Sequence, residues 1–240
     1  MKIALIGYGA MGKLIRTLAE EKGHEIVVVI DVMDAALSAG ELAEKLSGSD
    51  VSIDFSTTDA VRRNVEACMA AGVAVVEGTT GWNAQKTEIE EIVTANNGAL
   101  VFGANFSLGV NLFYRIAGFA AELFAMFPDY ETFIEEQHHS RKLDSPSGTA
   151  LKLKDVVGKH TKTEIIVAAT RAGNIPGTHR VGFDGPADQV LLEHTARSRA
   201  GFAAGAILAA QWIVGKKGFY EFTDFVDDIA RESSMKNPPL

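Results

Sequence analysis

Lys2-Ile3-Ala4-Leu5-Ile6-Gly7-Tyr8-Gly9-Ala10-Met11-Gly12 opens the chain with a short apolar run and then three glycines in the spacing Gly-x-Gly-x-x-Gly. The next segment, Lys13 to Lys22, is amphipathic and stops at Gly23, so the order reads strand, tight turn, helix. Glycine turns are common, and the spacing alone says little. Here, however, a second apolar strand runs from Glu25 to Ile30 and ends at the acidic Asp31. That context is the one a dinucleotide-binding βαβ unit requires. Gly7 permits the tight turn, Gly9 lets the backbone approach a pyrophosphate, and Gly12 lets the helix pack close to the strand. Tyr8, Ala10 and Met11 complete the turn as cofactor-contact candidates. Asp31 is placed to accept hydrogen bonds from the adenosine ribose. A carboxylate there disfavours a 2′-phosphate, and Lys13 and Arg16 are spaced away from the ribose, so NADH is favoured over NADPH.

Further strand-like runs at residues 51–55, 73–76 and 99–102 alternate with helical segments at 59–71 and 83–95. This alternation predicts a parallel sheet covered on both faces, an α/β domain of the Rossmann type. Loops at the carboxyl ends of such strands form the usual ligand crevice. Gly78, Thr79 and Thr80 lie in one of them, and Gly103, Ala104, Asn105 and Phe106 in another. All are candidate contacts for the nicotinamide half of the cofactor. The same stretches also read as a capping turn before Asn83 and as an interdomain hinge.

After Asn105 the pattern changes. A long apolar helix at 107–127 is followed by strands near 130–137, 163–170, 178–183 and 188–197, with one clear helix at 148–159 and a turn at Asp184-Gly185-Pro186. A second, α+β domain with a mainly antiparallel sheet is expected. Residues 201–216 are helical, and 219–230 return towards the first domain. The expected division is a dinucleotide-binding domain of residues 1–106, completed by 199–240, and a substrate-binding and oligomerisation domain of residues 107–198. Residues 233–240 read as a mobile tail.

The chain has 240 residues, 47% of them apolar, and a formal net charge of −8. That balance argues against a nucleic-acid or anionic-membrane surface, while leaving room for a local basic pocket built from Arg141, Lys142, Arg171, Arg180, Arg197 and Arg199. Cys68 is the only cysteine, which excludes an internal disulfide and a multi-cysteine metal site. The apolar N-terminus is interrupted too early for a signal peptide, and the apolar stretch at 202–214 is too short for a membrane span. A soluble, cytoplasmic protein is expected, with a small molecule as its partner and no bound metal.

The chemistry concentrates in Glu135-Glu136-Gln137-His138-His139-Ser140-Arg141-Lys142-Leu143-Asp144-Ser145-Pro146-Ser147-Gly148-Thr149-Ala150. Two histidines follow a strand, and Pro146-Ser147-Gly148-Thr149 reads as the start of a helix, whose free N–H groups and dipole suit a carboxylate or phosphate. Histidine ionises near working pH and suits proton transfer, and Lys142 supplies a point charge. A solvated polar loop is the plainer reading of two adjacent histidines; the flanking cations and the Ser-Gly-Thr turn favour a site.

Taken together, these segments resemble the 4-hydroxy-tetrahydrodipicolinate reductase (dihydrodipicolinate reductase) family. The resemblance runs through Gly7–Gly12, Ile53-Asp54-Phe55-Ser56, Gly78–Gly81, Ala104–Asn111, the segment from Glu136 to Ala150, and Arg171-Ala172-Gly173-x-Ile175-x-Gly177-x-His179. It implies reduction of a cyclic imine bearing two carboxylates, with hydride from NADH or NADPH and loss of water, in the diaminopimelate route to lysine. It further implies His138 as the proton donor, Lys142 at the ring nitrogen or a carboxylate, and His139, Ser147, Gly148 and Thr149 around the second carboxylate. Arg199 and Phe202 become further cofactor contacts, and a homotetramer through the second domain's sheet is implied. The chain departs from the family in two places. The stretch between Lys159 and Arg171 is shorter by about a dozen residues, and Met11 stands where a basic residue is frequent, which again disfavours NADPH. Hydride transfer requires the two domains to approach, so hinges are expected near 105–107 and 195–199. Two other functions fit the cofactor half alone: a different small dehydrogenase, such as one acting on aspartate, and a non-catalytic dinucleotide sensor. The sensor would have no need of His138 and Lys142 together.

Overall fold

A computed structural model describes residues 1–236. The chain runs β1 (Lys2–Ile6), α1 (Ala10–Glu21), β2 (Glu25–Ile30), α2 (Ala39–Leu46), β3 (Val51–Asp54), α3 (Val61–Ala71), β4 (Ala74–Glu77), α4 (Lys86–Ala95) and β5 (Ala99–Phe102). It continues through α5 (Leu108–Phe124), β6 (Glu131–His138), α6 (Gly148–Gly158), β7 (Ile166–Arg171), β8 (Thr178–Asp184) and β9 (Gln189–Thr195), then α7 (Ala200–Ile213), β10 (Gly218–Glu221) and α8 (Phe222–Lys236). Two compact units result. Residues 1–107 with the chain from Ala200 onward form one, and Leu108–Arg199 forms the other.

The first unit is built on a six-stranded sheet in the order β10-β5-β4-β3-β1-β2, parallel throughout. One apolar layer joins the sheet to α1, α7 and α8 through Ile15, Ala206, Ile207 and Phe225. The other joins it to α2, α3 and α4 through Leu42, Leu46, Val65 and Ile89. Strands covered on both faces must be apolar on both, and β1 and β3 are buried at nearly every position. The register aligns Ile6, Ile30, Asp54, Glu77, Phe102 and Glu221 along one edge, so the loops that follow emerge side by side.

The second unit packs α5 and α6 on one face of a four-stranded sheet ordered β7-β6-β8-β9. Phe113, Ile134, Leu153, Val181 and Phe183 fill the interface, with Phe124 stacked on Phe183 at 4.3 Å. Beyond the mainly antiparallel sheet expected, β6 and β7 pair in parallel, because α6 carries the chain back between them. Two further elements go beyond the sequence expectation. Helix α2 is short but opens on a reciprocal cap, Ser38 with Glu41, a Ser-x-x-Glu signature visible in the sequence. Strand β10 has only four residues and joins the sheet beside β5. Of the tail expected at 233–240, residues 233–236 continue α8 and 237–240 lie outside the described residues. Among the described residues no helix is long and apolar enough to cross a membrane.

Candidate active site

Each glycine of the first turn has a distinct steric reason. Gly7 adopts φ 86°, and a Cβ there would lie 2.3 Å from the Phe55 carbonyl oxygen. A Cβ on Gly12 would lie 2.1 Å from the Gly7 oxygen, so any side chain would push α1 off β1. Gly9, by contrast, faces open space: a Cβ there would have no neighbouring atom within 4 Å. No side chain caps α1 and no acid occupies its first turn, so the positive helix end meets that space. Asp31 sits at the end of β2, its Oδ1 accepting from the Met33 N–H at 2.9 Å. The cations of this region are engaged elsewhere. Lys45 pairs with Asp34, Arg63 donates to the carbonyls of Ala35 and Leu37, Lys13 lies over the Tyr8 ring, and Arg16 binds Tyr8 and Glu20.

The Gly78–Gly81 loop is tied down from several directions. A Cβ on Gly78 would fall into the Phe55 ring. Thr79 donates its N–H to Glu77 Oε1 at 2.7 Å, its hydroxyl accepts from the Ser56 N–H at 3.0 Å, and its carbonyl accepts from Trp82 Nε1 at 2.8 Å. The Thr80 carbonyl accepts from the Thr58 hydroxyl at 2.8 Å. In the next loop, Gly103 packs on Phe222, Ala104 is exposed, and the Asn105 carboxamide oxygen accepts from the Ser107 N–H at 2.8 Å. Phe106 departs from the expectation of a cofactor contact. It is 1% exposed, its ring lies against Phe55 and Phe222, and its carbonyl presses on Gly205 so closely that a Cβ there would come within 1.7 Å. Phe106 is a core residue, and its apolar type is the signal for that role. Phe202 is half-buried in the first turn of α7, and Arg199 is exposed.

In the second unit the period of two along β6 places Ile134, Glu136 and His138 on the face that meets α5 and α6. Glu136 is the hub. Its carboxylate accepts two bonds from Arg171, at 2.6 and 2.8 Å, one from the Ser147 N–H at 3.0 Å, and one from His138 Nδ1. Burial pushes Glu136 up, but the bonds from Arg171, His138 and Ser147 outweigh it and hold the carboxyl below its ordinary value. His138 is thereby fixed in ring orientation, with Nε2 left towards Gly177, where a Cβ would sit 3.1 Å away. Burial lowers the His138 pKa, and Glu136 opposes the shift. His179, across the sheet from Glu136, is lowered to about 4, by burial first and then by the neighbouring His138. Glu136, His138 and His179 lie within 4.8 Å of one another, a spacing a metal could use. Arg171 already neutralises the carboxylate and Ser147 Oγ holds His179 Nε2 at 3.0 Å, while His179 Nδ1 is buried without a partner.

Ser147, a substrate-contact candidate in the sequence, has a different role in the structure. It caps α6, its hydroxyl accepting from the Ala150 N–H while its own N–H goes to Glu136, and it is 2% exposed. The helix end beside it does hold a carboxylate, that of Asp144, which takes Lys142 Nζ at 2.6 Å and the Gly148 N–H. Lys142 and the Asp144 bonds together keep Asp144 below its ordinary value. Thr149 is half-buried, and its hydroxyl shares a hydrogen bond with Tyr114. His139 is half-buried with Nδ1 unpartnered, and it is Glu136, not His139, that orients His138. Glu136 and His179 stand in the sequence motifs, and Arg171 among the basic candidates, but the sequence assigns none of the three a role. The i, i+2 step from Glu136 to His138 on a strand is the signal that could have found the first of them.

Residues 1–106 match the family described as dihydrodipicolinate reductase, N-terminus, and residues 109–226 match dihydrodipicolinate reductase, C-terminus. The chain belongs to the dihydrodipicolinate reductase family. Curated family members include a 4-hydroxy-tetrahydrodipicolinate reductase of Christiangramia forsetii, 37% identical over 95% of this chain and 99% of that protein. Another, from Archaeoglobus fulgidus, is 36% identical over 95% of this chain and all of its own length. Among solved structures, a dipicolinate-bound dihydrodipicolinate reductase from Paenisporosarcina sp. TG-14 superimposes with a TM-score of 0.76 at 23% identity, covering 92% of this chain and 97% of the other. The reductase family uses a nicotinamide dinucleotide and acts on a small molecule.

Proposed function

We propose that this chain reduces 4-hydroxy-tetrahydrodipicolinate to tetrahydrodipicolinate in lysine and diaminopimelate biosynthesis, working in the cytoplasm, where a lone thiol such as buried Cys68 needs no disulfide partner. The observation that carries the reading is the anion cradle at α6. Lys142 and the Gly148 N–H converge on the carboxylate of Asp144, which stands in for a substrate carboxylate and is exposed enough to be displaced by one. Beside it, His138 is buried, oriented through Nδ1, and keeps Nε2 for a proton. A bound reduced nicotinamide would supply hydride to one ring carbon. His138 delivers the balancing proton, Lys142 offsets the charge of the ring nitrogen region or a carboxylate, and Thr149 and His139 receive the second carboxylate. The first unit would hold the cofactor at Gly7–Gly12, Gly78–Thr80 and Gly103–Asn105, with Arg199 and Phe202 as further contacts. The direct test is nicotinamide oxidation followed by absorbance with the cyclic substrate; no turnover would overturn the assignment. The sensor reading does not explain the cradle next to His138, and the same assay with aspartate separates the aspartate dehydrogenase reading.

NADH is the proposed preferred cofactor, because a carboxylate, Asp31, ends β2 and the nearby cations Lys45, Arg63, Lys13 and Arg16 are each held by other groups. Asp31→Ala is expected to move the ratio of kcat/KM values towards NADPH by about tenfold, equivalent to losing one charged hydrogen bond of roughly 1.5 kcal/mol. A wild type that strongly prefers NADPH would contradict this.

Pyridine-2,6-dicarboxylate, planar and unable to accept hydride, is expected to compete with substrate. Thr149→Val should weaken it by about 1–3 kcal/mol, the cost of a lost carboxylate hydrogen bond in a partly dry site. Inhibition constants for the two proteins decide it, and equal values would remove Thr149 from the site.

A homotetramer is proposed through the sheet face opposite α5 and α6. There Ile166, Phe133, Gly182 and Leu191 form one row across all four strands, and Ile166 and Leu191 are 65% and 50% exposed. Sedimentation of the wild type and of Leu191→Lys should read a tetramer and smaller species respectively.

A further inference from the structure

Two carboxyl groups in the first unit lie outside the chemistry above. Asp54 ends β3 and Glu77 ends β4; they are in register with one another, and both are 0% exposed. Both meet at Thr79, whose N–H goes to Glu77 and whose hydroxyl reaches Asp54 at 3.4 Å. Their surroundings are unequal. Asp54 also accepts from the Ser56 N–H at 2.8 Å and from Asn64 Nδ2 at 2.8 Å, whereas Glu77 Oε2 is buried with no partner. Among the described residues neither forms an ion pair. The titratable or charged groups around them are few. From α3, Cys68 stays a neutral thiol, its pKa pushed up to about 12 by burial, and Arg63 reaches only as far as Asn64. From α4, Lys86 is spent on the ring of Phe102, the β5 neighbour of Glu77. Helix α7, which packs on β4 from the other side, contains no titratable side chain.

Two charges this close in a dry site without a cation are costly, and one proton removes the cost. Burial pushes both carboxyls above their ordinary value, and the charge of Asp54 pushes Glu77 further. The donors decide which group keeps its charge: Asp54 draws on the Ser56 N–H and hydroxyl, Asn64 Nδ2 and the Thr79 hydroxyl, whereas Glu77 draws on Thr79 alone and Oε2 has no partner.

We propose that Asp54 and Glu77 hold a single proton between them, carried on Glu77 Oε2, and act as a positioning pair that shapes the Gly78–Thr80 loop for the nicotinamide half of the cofactor. The proposal rests on the cofactor reading of that loop. Loss of the proton places a second charge beside Asp54 and pulls apart the two bonds that meet at Thr79. The pair titrates as a unit, so cofactor affinity falls at alkaline pH by up to about tenfold per pH unit, the limit for one linked proton.

Infrared spectroscopy at neutral pH tests the proton directly. The wild type should carry a protonated-carboxyl band that is absent from Glu77→Gln; a wild type without it overturns the proposal. Cofactor titration followed by fluorescence of Trp82, whose indole is bonded to Thr79, tests the positioning. Glu77→Ala, which removes the acceptor for the Thr79 N–H, should weaken the cofactor by roughly tenfold, the value of one hydrogen bond. Glu77→Gln keeps an acceptor that never ionises, so it should recover most of that loss and flatten the alkaline fall. If Gln weakens binding as much as Ala, or leaves the alkaline fall intact, the neutral Glu77 is refuted. If the Ala variant does not fold, the band and the pH profile of Gln against wild type still decide. A wild type that binds no nicotinamide nucleotide would sink the cofactor reading alone, and the infrared band would still judge the shared proton.

Discussion

His138→Ala and Lys142→Ala are each expected to lower turnover by a hundredfold or more, about 3 kcal/mol in the barrier, while cofactor affinity changes little. The two losses have different causes. His138 Nδ1 is held by Glu136, so its ring has one orientation, and removing it removes the proton source. Lys142 is only partly exposed and is held over the α6 helix end through Asp144. Its removal leaves the Gly148 N–H to anchor that cradle, and the charge that offsets a carboxylate is gone. The pH profile separates them. Burial sets His138 below its ordinary value of about 6.5, so a protonated His138 is lost as pH rises, and kcat/KM should decline from below neutrality upward. In His138→Ala that limb should vanish; in Lys142→Ala it should remain. Steady-state kinetics with a parallel fluorescence titration of cofactor checks both. Near-normal turnover in either variant would strike that residue from the site.

The first unit was legible because its signals are local and steric. Gly7 and Gly12 are demanded by close contacts of the turn, and the boundaries of β1, β2 and β5 follow from apolar runs bounded by glycine or a charge. Strand β10 was not legible, since four residues carry no period and its place is set by β5, far away in the chain. The candidate site divided in the same way. His138, Lys142 and the α6 helix start lie in one stretch, and their types announce chemistry. Glu136, Arg171 and His179 come from three strands, and only the register of β6 with β7 and β8 makes them neighbours. Ser147 and Phe106 show the opposite failure: motif membership suggested ligand contact, while the fold uses both internally, one as a cap and one as core. Asp54 and Glu77 look like ordinary strand ends until the parallel register places them side by side.

Arg171→Ala is expected to destabilise the second unit by about 3–5 kcal/mol, the cost of stripping the partner from a buried ion. The Glu136 side chain has no exposed surface, and Arg171 gives it two bonds while also donating to the carbonyls of Thr170 and Asp144. Without the guanidinium, the carboxylate keeps only the Ser147 N–H and His138, and burial, which already pushes its pKa up, goes unopposed by a fixed cation. Glu136 should then take up a proton at higher pH than in the wild type, and a neutral Glu136 no longer anchors His138 as an anion does. Stability and turnover should therefore fall together. Glu136→Gln added to Arg171→Ala removes the stranded charge, so the double variant should recover a large part of the lost stability and none of the turnover. Denaturant unfolding of the two single variants and the double variant forms the cycle that measures this. Additive losses would mean that the Arg171–Glu136 pair is not the coupled unit its geometry describes, and that His138 is held by packing alone.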